Sequence, residues 1–379
     1  MSQKINFENI KNSKVLLRCD FNEPIKNEAL LSDKRVLANI DTIQELLARN
    51  NSLILISHHS DKGQNLNPVY VYLKKIFPEI YYLNSTDQEI ITEYFLKNSH
   101  DLPKIILLEN TRLFFENENL EEKNLDEKNS VEFAKFLSLF SDFFVYDAFS
   151  VGHREHASTT GVAKILPSSF GHTFKKEYSN LKKLLDEMPN TLIFMGGAKL
   201  STKLPIVEKF LANGSVVCLG GAMAHPILKI KGLDIKNSFT EEGVNVNIDI
   251  VNNKNFILPK SLIWNRGDVD VEDNIKIVDD IFDFDNLEEI TAGRGIKNIL
   301  WNGPVGMYEN NYVEGTDLIK KFLEKMYGEG KNVVVGGGDT LTYLEKYPDF
   351  KTSYESLSGG AMLSFLSEGT LPILETIEI

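Results

Sequence analysis

Short β-branched or aromatic runs recur along this chain, each closed by a glycine or polar turn and followed by a segment of helical period. In the first half the pattern predicts strands over 15–21, 53–57, 105–109 and 143–149, with helices such as 41–49 and 131–140 among them. In the second half it predicts strands over 191–195, 216–219, 299–302 and 333–335, each running into glycine. Near-continuous apolar strands interleaved with helices imply parallel sheets covered on both faces. Two doubly wound, Rossmann-like α/β domains follow. The charged, Leu-periodic segment 175–188, which ends at Pro189, predicts a helix between the two halves. The very polar run 116–129 reads as a solvated surface segment.

A length of 379 residues agrees with two domains and argues against a small binding module. The net charge of −13 disfavours general binding to nucleic acid or an anionic membrane. No apolar stretch of signal-peptide length opens the chain and none of eighteen residues occurs later, so a cytosolic protein is expected. Cys19 and Cys218 stand far apart in apolar runs and read as buried free thiols.

Charge placement adds chemistry to this frame. Only seven arginines accompany 34 lysines, yet Arg18, Arg35, Arg112 and Arg154 fall in short polar motifs near predicted strand ends. His58, His59, His153 and His156 join them in SHH and GHREH. Loops after the carboxyl ends of parallel strands share one rim, so these motifs can converge on one concave surface. Arginine forks and histidine donors there suit a phosphate or carboxylate. Any one of them alone reads first as a surface ion pair with a nearby acid, whereas four at equivalent places favour a site.

The second half repeats strand, glycine loop, helix in FMGGAKLSTK, CLGGAMAHP, WNGPVGMYE and VVGGGDTLTYL. Glycine admits a ligand to the backbone, and the following helix offers free N–H groups, a combination that binds phosphate. None fits the P-loop or the G-x-G-x-x-G pattern. Four on one sheet edge predict a nucleotide site, with Asp339 and Thr340 offering oxygen to magnesium and Lys199 and Lys203 placed to reach phosphate, although either lysine alone reads first as solvated. An acid-binding rim and a nucleotide rim on separate domains suggest phosphoryl transfer on domain closure. No arrangement such as H-R-D supplies a base for a hydroxyl acceptor, and a carboxylate, with a pKa below ~4, needs none.

Taken in order, the motifs RCDFNEP, ISHH, LLENTR, DAFSVGHREHAST, MGGAKLSTK, LGGAM, WNGPVGMYE, VGGGDT and SLSGGA resemble those of phosphoglycerate kinases along nearly the whole chain. The resemblance implies reversible phosphoryl transfer between 1,3-bisphosphoglycerate with ADP and 3-phosphoglycerate with ATP, in glycolysis and gluconeogenesis, with Mg2+. It implies a monomer whose partners are these small molecules. It also implies an acid-substrate domain of residues 1–172 plus 364–379, an interdomain helix over 173–187 and a nucleotide domain of 188–363. By motif match Asp20 and Asn22 would hold the glycerate end, while His58, Arg112 and Arg154 would grip the phosphate that is not transferred. Arg35 and Lys199 would neutralise the moving phosphoryl group, with Gly337 and Gly360 (after Gly359) giving backbone amides. Gly197, Lys203, Gly220, Gly221, Asn302, Pro304, Gly338 and Thr340 would line the nucleotide, with Glu309 on ribose and Asp339 on the metal.

This sequence departs from the family pattern in places. Asp61 stands where a phosphate-binding Arg is usual, with Lys62 beside it; Leu357 and Ser358 replace Thr and Gly; Phe282 falls where a glycine beside the adenine is usual. Two alternatives therefore stand beside the kinase reading: a kinase of another small phosphorylated acid, and a catalytically impaired nucleotide-binding regulator.

Overall fold

The computed structural model describes residues 4–61, 63–115, 124–265 and 275–379. The chain divides into two compact units, Met1–Ser179 with Thr370–Ile379, and Asn180–Gly369. The division falls inside the helix His172–Asp186. That helix begins earlier than its charge pattern suggests and stops before the 3-10 turn Met188–Asn190, where Pro189 cannot continue it. The helix Gly359–Glu368 packs on Leu204–Ala212, which places it in the second unit; the chain re-enters the first only at Thr370.

In the first unit six parallel strands lie in the order Tyr81–Leu83, Ile105–Leu108, Ser52–Ile56, Lys14–Arg18, Phe143–Tyr146, Ser168–Phe170. The central strands are buried almost throughout, which is why they read as unbroken Val, Ile and Leu. Register pairs Arg18 with Ile56 and with Tyr146, so these strands end flush. The second unit has the order Phe256–Ile257, Val216–Leu219, Thr191–Met195, Asn298–Asn302, Asn332–Gly336, Tyr354–Ser356, again parallel. Met195, Leu219, Asn302 and Gly336 end level. An antiparallel ribbon, Ser261–Asn265 with Lys276–Ile281, is added to this unit. Both cysteines are buried and free.

The first expected strand, over 15–21, stops at Arg18, and the one expected over 143–149 stops at Tyr146. Side chains take over the backbone there. Asp20 N–H donates to Asn39 Oδ1 at 3.3 Å and Phe21 N–H to Ser57 Oγ at 2.9 Å, which turns the chain out of the sheet and into a rim.

Candidate functional site

Four loops leave the flush edge of the first sheet. After Arg18, Asn22 locks onto the next loop: Ser60 N–H donates to Asn22 Oδ1 at 2.8 Å and Asn22 Nδ2 donates to Ser60 Oγ at 2.9 Å. The Arg35 guanidinium pairs with Asp20, and its backbone N–H donates to the buried Glu23 carboxylate at 2.5 Å. Burial opposes the charge on Arg35, but Asp20, Glu23 and Glu177 outweigh it and its pKa is raised. The guanidinium is thus a fixed, partly exposed cation. His59 is a bracket: its Nε2 donates to Glu23 O at 2.7 Å and its Nδ1 accepts from Asp61 N–H at 3.1 Å.

The buried His58 has Arg18, Arg112, Arg154 and His156 around it. Burial and those neighbours hold its ring well below the usual pKa, hence neutral. Arg112 is half-buried and pairs with Glu127 at 3.2 Å, while Arg154 is exposed with its Nε donating to His153 Nε2 at 3.2 Å. Burial, then Arg154 and His156, push His153 down to about 4. Of the acid-site residues expected from the sequence, His58, Arg112 and Arg154 therefore share one electrostatic cluster, and Asp20, Asn22 and Arg35 one hydrogen-bonded turn. Asp61 is exposed; Lys62 lies outside the described residues.

Asp126 was hidden in the sequence. The polar run 116–129 does not read as a buried segment, yet Asp126 is 0% exposed, with Asn124 and Leu125 also buried. It accepts from Thr111 Oγ1 at 2.6 Å, Ser158 N at 2.7 Å and Ser158 Oγ at 3.0 Å. A carboxylate among arginines compensates their mutual repulsion, and here it also ties three loops together. Residues 116–123 of that run lie outside the described residues.

In the second unit Gly197, Gly221, Pro304, Glu309 and Asp339 line one cavity of about 530 Å³, together with His225, Lys276 and the ribbon residues Asp279 and Asp280. All four glycine loops contribute. A Cβ on Gly196 would sit 2.3 Å from the Pro304 carbonyl, so the first and third loops touch only because that residue is glycine. Asn302 Nδ2 donates to Gly336 O at 2.8 Å, and the buried Thr340 Oγ1 accepts from Gly303 N–H at 2.7 Å. These two side chains brace the loops; the Thr340 hydroxyl is already engaged. Gly337 takes φ 99 beneath the Asn302 amide. Lys203 Nζ points back onto the loop carbonyls, and burial pulls its pKa down to about 8.

Asp280 was also missed by sequence reasoning. Gly221 N–H donates to both its oxygens, at 3.1 and 2.9 Å, and Gly306 N–H to Oδ1 at 3.2 Å, so one carboxylate joins two loops that line the cavity. Burial pushes it up to about 7. Gly220 packs directly against it. Phe282 does not line the cavity: it is buried in the core against Phe194, its ring 3.1 Å from where a Gly220 Cβ would stand. Lys199, Gly338 and Gly360 are exposed at loop and helix starts and are not among the lining residues.

Residues 5–369 match the family model described as phosphoglycerate kinase. The chain belongs to the phosphoglycerate kinase family. A phosphoglycerate kinase of Finegoldia magna is 33% identical over 98% of this chain and 97% of its own length. That of Borreliella burgdorferi is 30% identical over 98% of each. The solved phosphoglycerate kinase of Coxiella burnetii superposes with a TM-score of 0.78 at 27% identity, covering 97% of this chain and 96% of its own. The Pyrococcus horikoshii enzyme, at 22% identity and a TM-score of 0.75, shows the shared fold. Membership across nearly the whole chain makes this a phosphotransferase with phosphoglycerate kinase activity.

Proposed function

We propose that the first unit binds 3-phosphoglycerate or 1,3-bisphosphoglycerate on its arginine rim and that the cavity of the second binds ATP or ADP. The observation that carries this reading is the segregation of chemistry: Arg18, Arg112, Arg154 and the histidines gather around His58 in one unit, while the four glycine loops close on one cavity in the other. His58, Arg112 and Arg154 grip the distal phosphate, and Asp20 and Asn22 the glycerate end. The acceptor carboxylate is ionised at neutral pH and attacks the γ-phosphorus without a base, as the bond from phosphorus to the ADP oxygen breaks. Arg35, aimed by Asp20, and Lys199 balance the charge on the group in flight. Gly337 and Gly360 add backbone N–H groups to the same task.

Asp339 is an exposed carboxylate on the cavity wall, and a magnesium ion on nucleotide phosphates commonly takes only one or two protein carboxylates, so the residue fits that role. When bound, the ion would neutralise phosphate charge. Lys203 meets phosphate oxygens, Glu309 the ribose, and Gly197, Gly220, Gly221, Asn302, Pro304, Gly338 and Thr340 form or brace the walls. The same reading makes the protein a monomeric cytoplasmic enzyme of glycolysis and gluconeogenesis that binds neither nucleic acid nor membrane. Its net charge of −13 supports this, and no helix of the described residues is long and apolar enough to cross a membrane.

A coupled assay with 3-phosphoglycerate, ATP and magnesium tests the proposal. Wild-type turnover is expected, with Arg35→Ala and Lys199→Ala each losing roughly a hundredfold to a thousandfold in kcat and far less in binding. Near-normal turnover in either variant refutes its assigned role. Preference for another phosphorylated acid would move the acid assignment.

A further inference from the structure

Two obligate residues fix every proton in the chain of contacts that runs from Asp126 to His58. An ionised carboxylate only accepts, and a guanidinium only donates. Ser158 N–H and Oγ–H both donate to Asp126, at 2.7 and 3.0 Å, which leaves a Ser158 oxygen lone pair for Arg18 Nε at 3.2 Å. Arg18 is fully buried and its third direction, NH1, is spent on Cys19 O at 2.6 Å. Its NH2 meets His58 Nδ1 at 3.2 Å. Because Arg18 brings a proton to that contact, Nδ1 must be the unprotonated nitrogen.

We propose that Asp126 and Ser158, acting through Arg18, hold His58 as its Nε2–H tautomer, so that the ring offers a donor to the phosphate of the acid substrate. The inference deepens the acid-site assignment above and rests on it for the identity of the anion. Asp126, Ser158 and Arg18 are positioning residues here, and His58 is the group that meets substrate. Phosphate oxygens are acceptors, so a ring presenting a lone pair would repel them and one presenting N–H binds them. Burial first, and then the groups facing His58 from neighbouring elements, namely Arg18, Arg112, Arg154 and His156, keep it neutral, so its contribution comes from this one hydrogen atom rather than from a positive ring. Ser158 lies in the π-helical turn Ala157–Gly161, where His156 N–H donates to Thr159 Oγ1 at 2.9 Å, so the serine is held by its own local structure before it meets Arg18.

The test reads the tautomer directly. In 15N-labelled full-length protein at neutral pH, a long-range proton–nitrogen spectrum, with His58 assigned by its loss in His58→Gln, should show Nε2 protonated and Nδ1 bare. Ser158→Ala, which frees Arg18 Nε and lets the guanidinium turn away from His58 Nδ1, should turn this into a mixture of tautomers. It should also weaken 3-phosphoglycerate binding by roughly tenfold to a hundredfold while ATP binding stays unchanged. Ser158→Thr, which keeps the hydroxyl, should restore both. A wild-type spectrum with Nδ1 protonated overturns the proposal whether or not any variant folds, as does a folded Ser158→Ala protein with the wild-type pattern. A wild type with the expected pattern that fails to bind 3-phosphoglycerate supports the tautomer and overturns the ligand assignment instead.

Discussion

The ammonium of Lys203 donates to the Gly196 carbonyl at 2.6 Å, and also to Asn302 O at 3.1 Å. It therefore stitches the first glycine loop to the third. Burial lowers its pKa to about 8, with the Asp339 charge opposing. At the proposed nucleotide site, a phosphate arriving beside it would favour the charged form and raise that value, so binding would take up a proton once pH exceeds about 8. The dissociation constant for ATP should be flat below pH 8 and rise above it, approaching tenfold per unit. Calorimetry from pH 7 to 9.5 measures this. Lys203→Met should bind more weakly at pH 7 and lose the slope; an unchanged slope in the variant would place the titration elsewhere.

Asp280 joins Gly221 to Gly306 through three N–H bonds. Asp280→Asn places an NH2 donor where Oδ2 accepts from Gly221 N–H, so that amide loses its 2.9 Å bond and keeps only the 3.1 Å bond to Oδ1, at roughly 0.5 to 1.5 kcal/mol. The KM for ATP should rise by roughly twofold to tenfold while the KM for 3-phosphoglycerate holds. Equal effects on both would mean general destabilisation rather than a misshapen nucleotide cavity.

How far these features can be read from sequence differs by residue. Strand interiors such as Leu53, Ile54 and Leu55 are apolar because both faces are covered, and the pattern exposes them at once. Tyr81–Leu83, Ser168–Phe170, Phe256–Ile257 and Tyr354–Ser356 are two or three residues long at or near sheet edges, too short to show any period. Arg112 and Arg154 stand out because arginine is scarce in this chain. Asp126 does not, since a buried carboxylate in a run of Asn, Glu and Lys carries no signal until its partners Thr111 and Ser158 are brought in from elsewhere in the chain. Asp280 sits in a strand of the ribbon rather than in a glycine loop, so its link to Gly221 is a product of the fold alone.

Asp147 is fully buried, with Oδ1 accepting from Phe174 N–H at 2.8 Å and Oδ2 lacking a well-aligned partner. Gly171 lies so close that a Cβ there would fall 2.4 Å from the carboxyl carbon. Burial raises the acid to about 7 in the folded state, against ~3.9 when unfolded. Between those values the native state holds the extra proton, so this group's contribution to stability is full below pH 4 and is lost as pH rises through 7. Asp147→Asn stays neutral and should keep the contribution. Thermal melts from pH 4 to 8 should show wild type losing Tm relative to the variant as pH rises; parallel curves would contradict the assignment.

Asp61 is exposed on the loop whose Ser60 is locked to Asn22, and its own N–H is tied to the bracket residue His59. The backbone there is therefore held close to Asn22, proposed above for the glycerate end, while the carboxylate is left facing solvent. A negative charge at this place repels a dianionic substrate, and an arginine would instead offer it a charge-assisted bond. Such a bond is worth about 1.5 to 3 kcal/mol. Solvent exposure favours the lower end of that range. Asp61→Arg should tighten 3-phosphoglycerate binding by roughly tenfold and leave ATP binding unchanged. Asp61→Asn separates the two contributions, because it removes the repulsion without adding a donor fork, and should recover only part of the gain. Direct dissociation constants at two ionic strengths decide the matter: the benefit should shrink with added salt, as screening requires for an exposed charge. If Asp61→Arg binds 3-phosphoglycerate no better than wild type at low salt, the residue lies off the path of the phosphate.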